Sequence, residues 1–198
     1  MPPIPPFPPD FHHPHLQKLA FFIRESEHIL AAWDAYSDEH TDLDGWPHDD
    51  VTYGLRAAHR DAKTWRSFHR VRPFAKELLA TAEVQLQQLN SRHIQPQWVW
   101  QLSTLSTALS KLAELERAWL DTLASLPPSA RPGTPEWDDA VAERNAEAWS
   151  YLDDWASHSK ALLEIQAATL DFPPRSPTLT AAKAPRPAPP ATTPSARR

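Results

Sequence analysis

The stretch from residue 96 to 126 constrains the fold of this chain more than any other feature of its sequence. Large apolar residues recur there in steps of four and three, interrupted by a single glutamate: Trp98, Leu102, Leu105, Leu109, Leu112, Glu116, Trp119, Leu123 and Leu126. A heptad stripe of this length is typical of a long helix that packs against other helices in a coiled-coil-like manner. We therefore predict an all-α fold of the helical-bundle type.

Composition argues against other classes of protein. Only three glycines occur, which disfavours a sheet protein built from tight hairpins. The absence of cysteine excludes disulfides and thiolate chemistry. No apolar run approaches the roughly 18 residues of a membrane span, so no membrane association is predicted. The opening MPPIPPFPPDFHHPH lacks the basic and apolar regions of a signal peptide, and a cytoplasmic location is the expectation.

The 22 prolines divide the chain into three parts, because they concentrate at its two ends. Residues 1–13 are predicted to form an extended arm of polyproline II type. This arm is either a ligand for an aromatic groove, with Phe7 as its anchor, or a stiff segment without a partner. Residues 14–170 are predicted to form one helical bundle domain, and residues 171–198 a disordered basic tail rich in Pro and Ala.

Apolar periodicity and capping residues predict an antiparallel up-and-down bundle of about five helices. The expected bounds are 14–37, 49–71, 73–91, 96–126 and 135–170. The stripe of the second helix is predicted to be buried and consists of Val51, Leu55, Ala58, Ala62, Trp65 and His69. Pro73 makes the connection between the second and third helices either a tight corner or a kink in one long helix.

The second predicted helix also carries the most conspicuous charge pattern of the chain. Its candidate binding residues are Arg56, Arg60, Lys63, Arg66 and Arg70, with Asp61 as the only acid between Arg56 and Lys76. One interpretation is a phosphate-tracking surface for nucleic acid or a dock for an acidic partner. The other is internal neutralisation against the acidic fifth helix, by way of Glu143, Glu147 and Asp154. We favour the second, because residues 1–170 carry 15 bases and 24 acids and a net charge of that sign repels a polyanion.

Three weaker patterns concern metals. The loop at residues 38–50 includes Asp42, Asp44 and Gly45 but departs from a calcium loop at both ends, and a solvated acidic turn is the expectation. Glu25 and His28 form half of a di-iron motif, and Asp154 with His158 a second carboxylate–imidazole pair. His12, His13 and His15 could bind a transition metal weakly. None is specific enough, so no metal site and no cofactor are predicted.

Two residues of the 96–126 helix need a partner. Glu116 interrupts an apolar seam, and a buried carboxylate is unfavourable unless it is paired, so we expect a base, a donor or a wet bundle end beside it. Trp100 falls on the outer face of the same helix. We expect the Pro-rich arm or another chain to cover its ring, and we count it among the candidate binding residues.

No motif reaches the specificity of a catalytic signature, and the sequence therefore indicates function only coarsely. The reading we favour is a non-catalytic helical protein-interaction or adaptor module, with a protein partner or self-association. The alternative is a nucleic-acid-associated accessory protein that uses the basic helix and the basic tail. A metal-binding helical-bundle enzyme comes third.

Overall fold

The computed structural model describes residues 14–172, and this part of the chain is all-helical, as predicted. Its helices are α1 (Pro14–His40), α2 (Asp50–Phe68), α3 (Arg72–Gln88), α4 (Pro96–Ser125), α5 (Pro135–His158) and α6 (Lys160–Asp171), with a short 3-10 helix at Ser91–His93. The arm 1–13 and residues 173–198 lie outside the described residues. Their disorder stays a prediction, as does the antiparallel up-and-down order of the helices.

The helix ends follow the capping signals of the sequence. The Asp49 carboxylate accepts a hydrogen bond from the backbone N–H of Val51 and so caps α2. Prolines occupy the first turns of α3, α4 and α5, where their missing N–H leaves no hydrogen bond unmade. Between α2 and α3 the helical path is interrupted at residues 69–71, where the N–H of Arg70 donates to the Ser67 carbonyl and that of Val71 to the Phe68 carbonyl. The choice between a tight corner and a kink stays a prediction.

The predicted fifth helix is in fact two helices. It breaks at Ser159, which is fully buried and whose hydroxyl donates to the carbonyl of Trp155. Beyond the break, α6 packs against α1, α3 and α4, while α5 packs mainly against α2 and α4. The change of neighbours at Ser159 means that α5 and α6 do not present one continuous face.

The core is formed by the predicted seam of α4 and the faces that close on it. Leu102, Leu105 and Leu112 of the seam are buried, and the last turns of α4 are only partly covered. Glu116 of the seam forms an ion pair with Arg72 of α3, which confirms the prediction that it has a basic partner. No helix within residues 14–172 is long and apolar enough to cross a membrane.

The second half of α1 and the first half of α2 form a helical hairpin that contributes few residues to this core. The last buried residue of α1 is Ser26, and the first buried residue of α2 is Asp61. Between them the two helices contact each other through aromatic side chains: the Trp33 and Tyr53 rings meet edge to face at 5.0 Å, and Tyr36 lies 6.0 Å from Tyr53. We call residues 27–60 the α1–α2 hairpin.

The predicted burial of Val51 and Leu55 is wrong. Their exposed fractions are 72% and 69%. Trp65 of α2 faces Arg144 of α5, and Arg60, one and a half turns earlier, faces Trp149. The high exposure of Val51 and Leu55 shows that no described helix covers the apolar start of α2.

Candidate functional site

Arg60 is the candidate residue that the structure places most firmly inside the fold. Its guanidinium lies 4.2 Å from the ring centre of Trp33 in α1 and 3.6 Å from that of Trp149 in α5. It also donates to the Asp61 carboxylate, at 2.8 Å from Nε. Only 12% of the Arg60 side chain and 5% of the Asp61 side chain are exposed. A cation held between two aromatic faces and a carboxylate serves the packing of three helices.

Arg144 of α5 forms the reciprocal contact, from an arginine of α5 to a tryptophan of α2. Its guanidinium lies 4.7 Å from the ring centres of both Trp65 in α2 and Trp119 in α4. It donates to the amide oxygen of Asn145 at 2.8 Å. The helices α2 and α5 therefore exchange cations and aromatic rings, since each supplies an arginine that lies on a tryptophan of the other.

The predicted neutralisation of the basic helix by α5 takes a different form from the one expected. The helices do pack together, but within residues 14–172 no ion pair joins a base of α2 to Glu143, Glu147 or Asp154. Arg56 lies over the Tyr36 ring at 5.3 Å. Arg70 pairs with Glu25 at 3.0 Å and covers Phe21. Aromatic rings, which a charge count does not register, are the main counterpart of these cations.

Lys63 and Arg66 are exposed and form no ion pair with any residue between 14 and 172. Lys63 borders a groove between α1 and α2 whose floor is apolar. The groove is lined by His28, Ile29, Ala32, Trp33, Arg56, His59, Arg60 and Lys63. No acid belongs to this lining, so the groove is a cationic feature of the surface although Arg60 is locked within it.

Two carboxylates near Arg60 are electrostatically unfavourable in their ionised form. Burial raises the pKa of Asp61, and the hydrogen bond and charge of Arg60 offset only part of that rise. Burial also raises the pKa of Asp153 in α5, with the neighbouring Asp154 adding to the effect and Arg60 opposing it. Arg60 thus stabilises the ionised form of both acids.

The acidic loop at residues 41–49 has a well-defined hydrogen-bonded structure. The Asp42 carboxylate accepts from the backbone N–H groups of Asp44 and Trp46, each at 2.9 Å. The Asp42 N–H donates to the Trp46 carbonyl at 2.8 Å. Gly45 adopts φ of +83°, a conformation that glycine enters without strain. These bonds hold the segment 42–46 as a compact turn at the end of the α1–α2 hairpin.

This turn directs large apolar side chains into solvent. Leu43 is fully exposed and Trp46 is 72% exposed. Val51 and Leu55 follow within the first two turns of α2, one helical turn apart and therefore on one face. We call these four residues the tip surface. The sequence indicated it only indirectly, through apolar residues within an acidic segment, because periodicity does not show which apolar face lacks a covering helix.

The remaining candidate residues lie elsewhere. Trp100 of α4 is 51% exposed, and its ring meets the edge of His158 at 4.8 Å. Cover from the arm or another chain remains a prediction, since Phe7 and the arm lie outside the described residues. Trp100 and the basic residues of α2 are contributed by different helices, and no described contact joins them into one site.

The carboxylate–imidazole pairs do not assemble into a larger cluster. Glu25 accepts hydrogen bonds from Ser67 at 2.6 Å and Arg70 at 3.0 Å. Among residues 14–172 no group of three or more His, Asp or Glu side chains is placed to hold a metal ion. His12 and His13 lie outside this range.

Comparison with known proteins gives no relative: no family model, no curated protein and no solved structure matches this chain. Function must therefore be argued from the surfaces described above.

Proposed function

We propose that the chain is a non-catalytic helical protein-interaction module that binds its partner at the tip surface. The observation that carries this proposal is the exposure of Leu43 and Trp46 on a turn fixed by the Asp42 carboxylate. Exposed tryptophans are frequent anchors of protein interfaces. A turn that is already ordered loses little conformational entropy on binding. An apolar cluster that the fold does not use is a common mark of an interaction site.

The architecture supports this proposal. We infer an up-and-down order of the helices, because cross-helix contacts join late residues of one helix to early residues of the next, such as Trp33 to Tyr53 and Trp119 to Trp137. The tip surface lies at the end of the α1–α2 hairpin, in the loop between its two helices and in the first two turns of α2.

Capture of binding proteins from the source cells tests the proposal. The bait is the full chain, compared with a Leu43→Ser/Trp46→Ser variant and with Leu120→Ser, which removes an exposed leucine of α4. We expect specific proteins to bind the wild type and the Leu120→Ser control and to be lost from the tip variant. Equal capture by all three baits, whose folding is checked by circular dichroism, would contradict the proposal.

A nucleic-acid interface is the second candidate function, favoured by the acid-free cationic groove and by the exposure of Lys63 and Arg66. Binding of single- and double-stranded DNA is measured by fluorescence anisotropy over a range of salt concentrations. Under this alternative, Lys63→Glu/Arg66→Glu weakens binding and flattens its salt slope by about one unit for each phosphate that the variant no longer binds. Absence of salt-dependent binding to either DNA eliminates the alternative.

A further inference from the structure

The tip surface lies in the most acidic part of the chain. Between residues 38 and 50 the sequence contains six acids and no lysine or arginine: Asp38, Glu39, Asp42, Asp44, Asp49 and Asp50. All six are exposed, and none forms an ion pair with another residue in the range 14–172. Asp42 and Asp49 are engaged as acceptors in the loop and the helix cap. The other four carboxylates are exposed and lie within five residues of Leu43 or Trp46 in the sequence, and none of them forms an ion pair within residues 14–172.

One segment of the same chain has the complementary chemistry. Residues 173–198 contain five bases, no acid and eight prolines. Arg186 stands directly before Pro187-Ala188-Pro189-Pro190, a proline pattern that docks on exposed aromatic rings as polyproline II. Such ligands combine contacts between proline and an aromatic ring with contacts between a base and neighbouring carboxylates. The tip surface offers Trp46 for the first kind of contact and the four free acids for the second.

The segment 173–198 is also long compared with the elements of the fold. The described chain ends at Phe172, whose ring is stacked on His93 at 3.7 Å, beside the connection between α3 and α4. At the rise of about 3.1 Å per residue of a polyproline II helix, a chain as long as residues 173–198 corresponds to roughly 80 Å. The longest helix, α4, is about 45 Å long at 1.5 Å per residue. The segment is therefore longer than any distance set by one helix of the fold.

We propose that residues 173–198 bind to the tip surface of their own chain, by their prolines to Trp46 and by their bases to the surrounding carboxylates. This inference rests on the proposed function and names the chemistry that the surface selects: a basic, proline-rich segment. Tethering gives the tail an effective concentration in the millimolar range, so even a weak intrinsic affinity leaves the surface occupied. A protein partner then competes with the tail for Trp46.

The test follows Trp46 by ¹⁹F NMR in protein labelled with 5-fluorotryptophan, and its signal is assigned through Trp46→Phe. The full chain is compared with a chain that ends at Phe172. We expect the Trp46 resonance to differ between the two. A synthetic peptide of residues 173–198, added to the shorter chain at about millimolar concentration, should shift it saturably towards its position in the full chain. A peptide with its five bases replaced by glutamine should have a much weaker effect.

The acidic residues are tested by Asp44→Asn/Asp50→Asn, which spares the carboxylates of Asp42 and Asp49 that shape the loop. This variant should weaken peptide binding several-fold, whereas the control Asp121→Asn/Asp139→Asn, on α4 and α5, should not. An identical Trp46 resonance in both chain lengths, with no saturable response to the peptide, would overturn the inference. A difference that grows with protein concentration would also overturn it, because the occupant would then be the tail of a second copy.

The two proposals fail separately. If partner capture depends on Leu43 and Trp46 while the tail leaves Trp46 unchanged, the interaction module stands and its occupation by the tail does not. If the tail binds but no captured protein depends on the tip surface, the surface serves only its own chain and the proposed function is wrong.

Discussion

Arg60 and Lys63 lie one turn apart on α2 and have the same formal charge, but the structure gives them opposite roles. Arg60 is enclosed by Trp33, Trp149 and Asp61, whereas Lys63 points into solvent. Removing Arg60 leaves the buried Asp61 without its basic partner. Breaking such a pair from one side is strongly unfavourable.

We expect Arg60→Leu to lower the free energy of unfolding by about 3 kcal/mol and Lys63→Leu to change it by less than about 0.5 kcal/mol. Urea unfolding followed by circular dichroism measures both. Equal effects at the two positions would show that burial of the Arg60 side chain does not stabilise the fold.

A second prediction at this scale concerns pH and Asp153. Burial is the main cause that raises the pKa of its carboxyl above the ordinary value, and the negative charge of Asp154 raises it further. The folded state then holds the proton more tightly than the unfolded state. The free energy of unfolding therefore falls as the pH rises from the ordinary pKa of an aspartate to the raised pKa of Asp153, and it stays lower above that range. Asp153→Asn should therefore stabilise the protein at neutral pH.

The gain from Asp153→Asn should shrink as the pH approaches about 3.9, the ordinary pKa of an aspartate. Thermal unfolding at a series of pH values measures the difference, with the exposed Asp121→Asn as control. A gain that stays the same at acidic and neutral pH would show that the Asp153 charge is not its cause.

At the scale of helices, the exchange of arginines and tryptophans between α2 and α5 explains how a basic helix packs beside an acidic one without direct ion pairs. Each arginine lies on an aromatic face of the other helix, which attracts a cation through its ring electrons. A double-mutant cycle isolates this contact from the other effects of each substitution.

We expect a coupling free energy of about 1 kcal/mol between Arg60→Ala and Trp149→Ala. The same value is expected for Arg144→Ala with Trp65→Ala. Arg56→Ala with Trp149→Ala serves as the control cycle, since Arg56 lies over Tyr36 instead, and its coupling should be close to zero. Couplings of the same size in all three cycles would mean that the contact is not specific.

How much the sequence predicted also differs between helices. The seam of α4 was predictable, because a long heptad stripe has one way to be buried and its neighbours cover most of it. The ion pair of Glu116 followed from the unfavourable burial of a lone carboxylate. The break at Ser159 was not predictable, because no proline or glycine marks this position in the sequence. The exposure of Val51 and Leu55 was missed because their periodicity fits burial, and periodicity alone does not show whether a neighbouring helix covers that face.

For the candidate site, the sequence indicated the cluster of bases on α2. It did not indicate which of these bases are buried and which are exposed. That sorting depends on Trp33 and Trp149, which are distant in sequence and meet Arg60 only in the folded chain. Likewise, the acidic loop was recognised as acidic and solvated. That it exposes Leu43 and Trp46 on a hydrogen-bonded turn depends on the Asp42 carboxylate, which accepts from Asp44 and Trp46 in the folded chain.

At the scale of the whole molecule, the structure separates residues that serve the fold from residues that do not. The arginines and tryptophans between α2 and α5 belong to the first group, and the four apolar side chains of the tip surface belong to the second. The proposed function depends on this separation, because a surface that stabilised the fold would need no partner to explain it.

Denaturant unfolding of one combined variant tests most directly whether the tip surface contributes to the stability of the fold. The variant carries Leu43→Ser, Trp46→Ser, Val51→Thr and Leu55→Gln, and its reference is Leu105→Gln, which places one amide in the buried seam of α4. We predict that the four tip substitutions together lower the free energy of unfolding by less than about 1 kcal/mol, as expected for exposed positions, while Leu105→Gln alone lowers it by about 3 kcal/mol or more. A comparable loss from the tip variant would show that these side chains are packed in the native fold, and the proposed function would lose its basis.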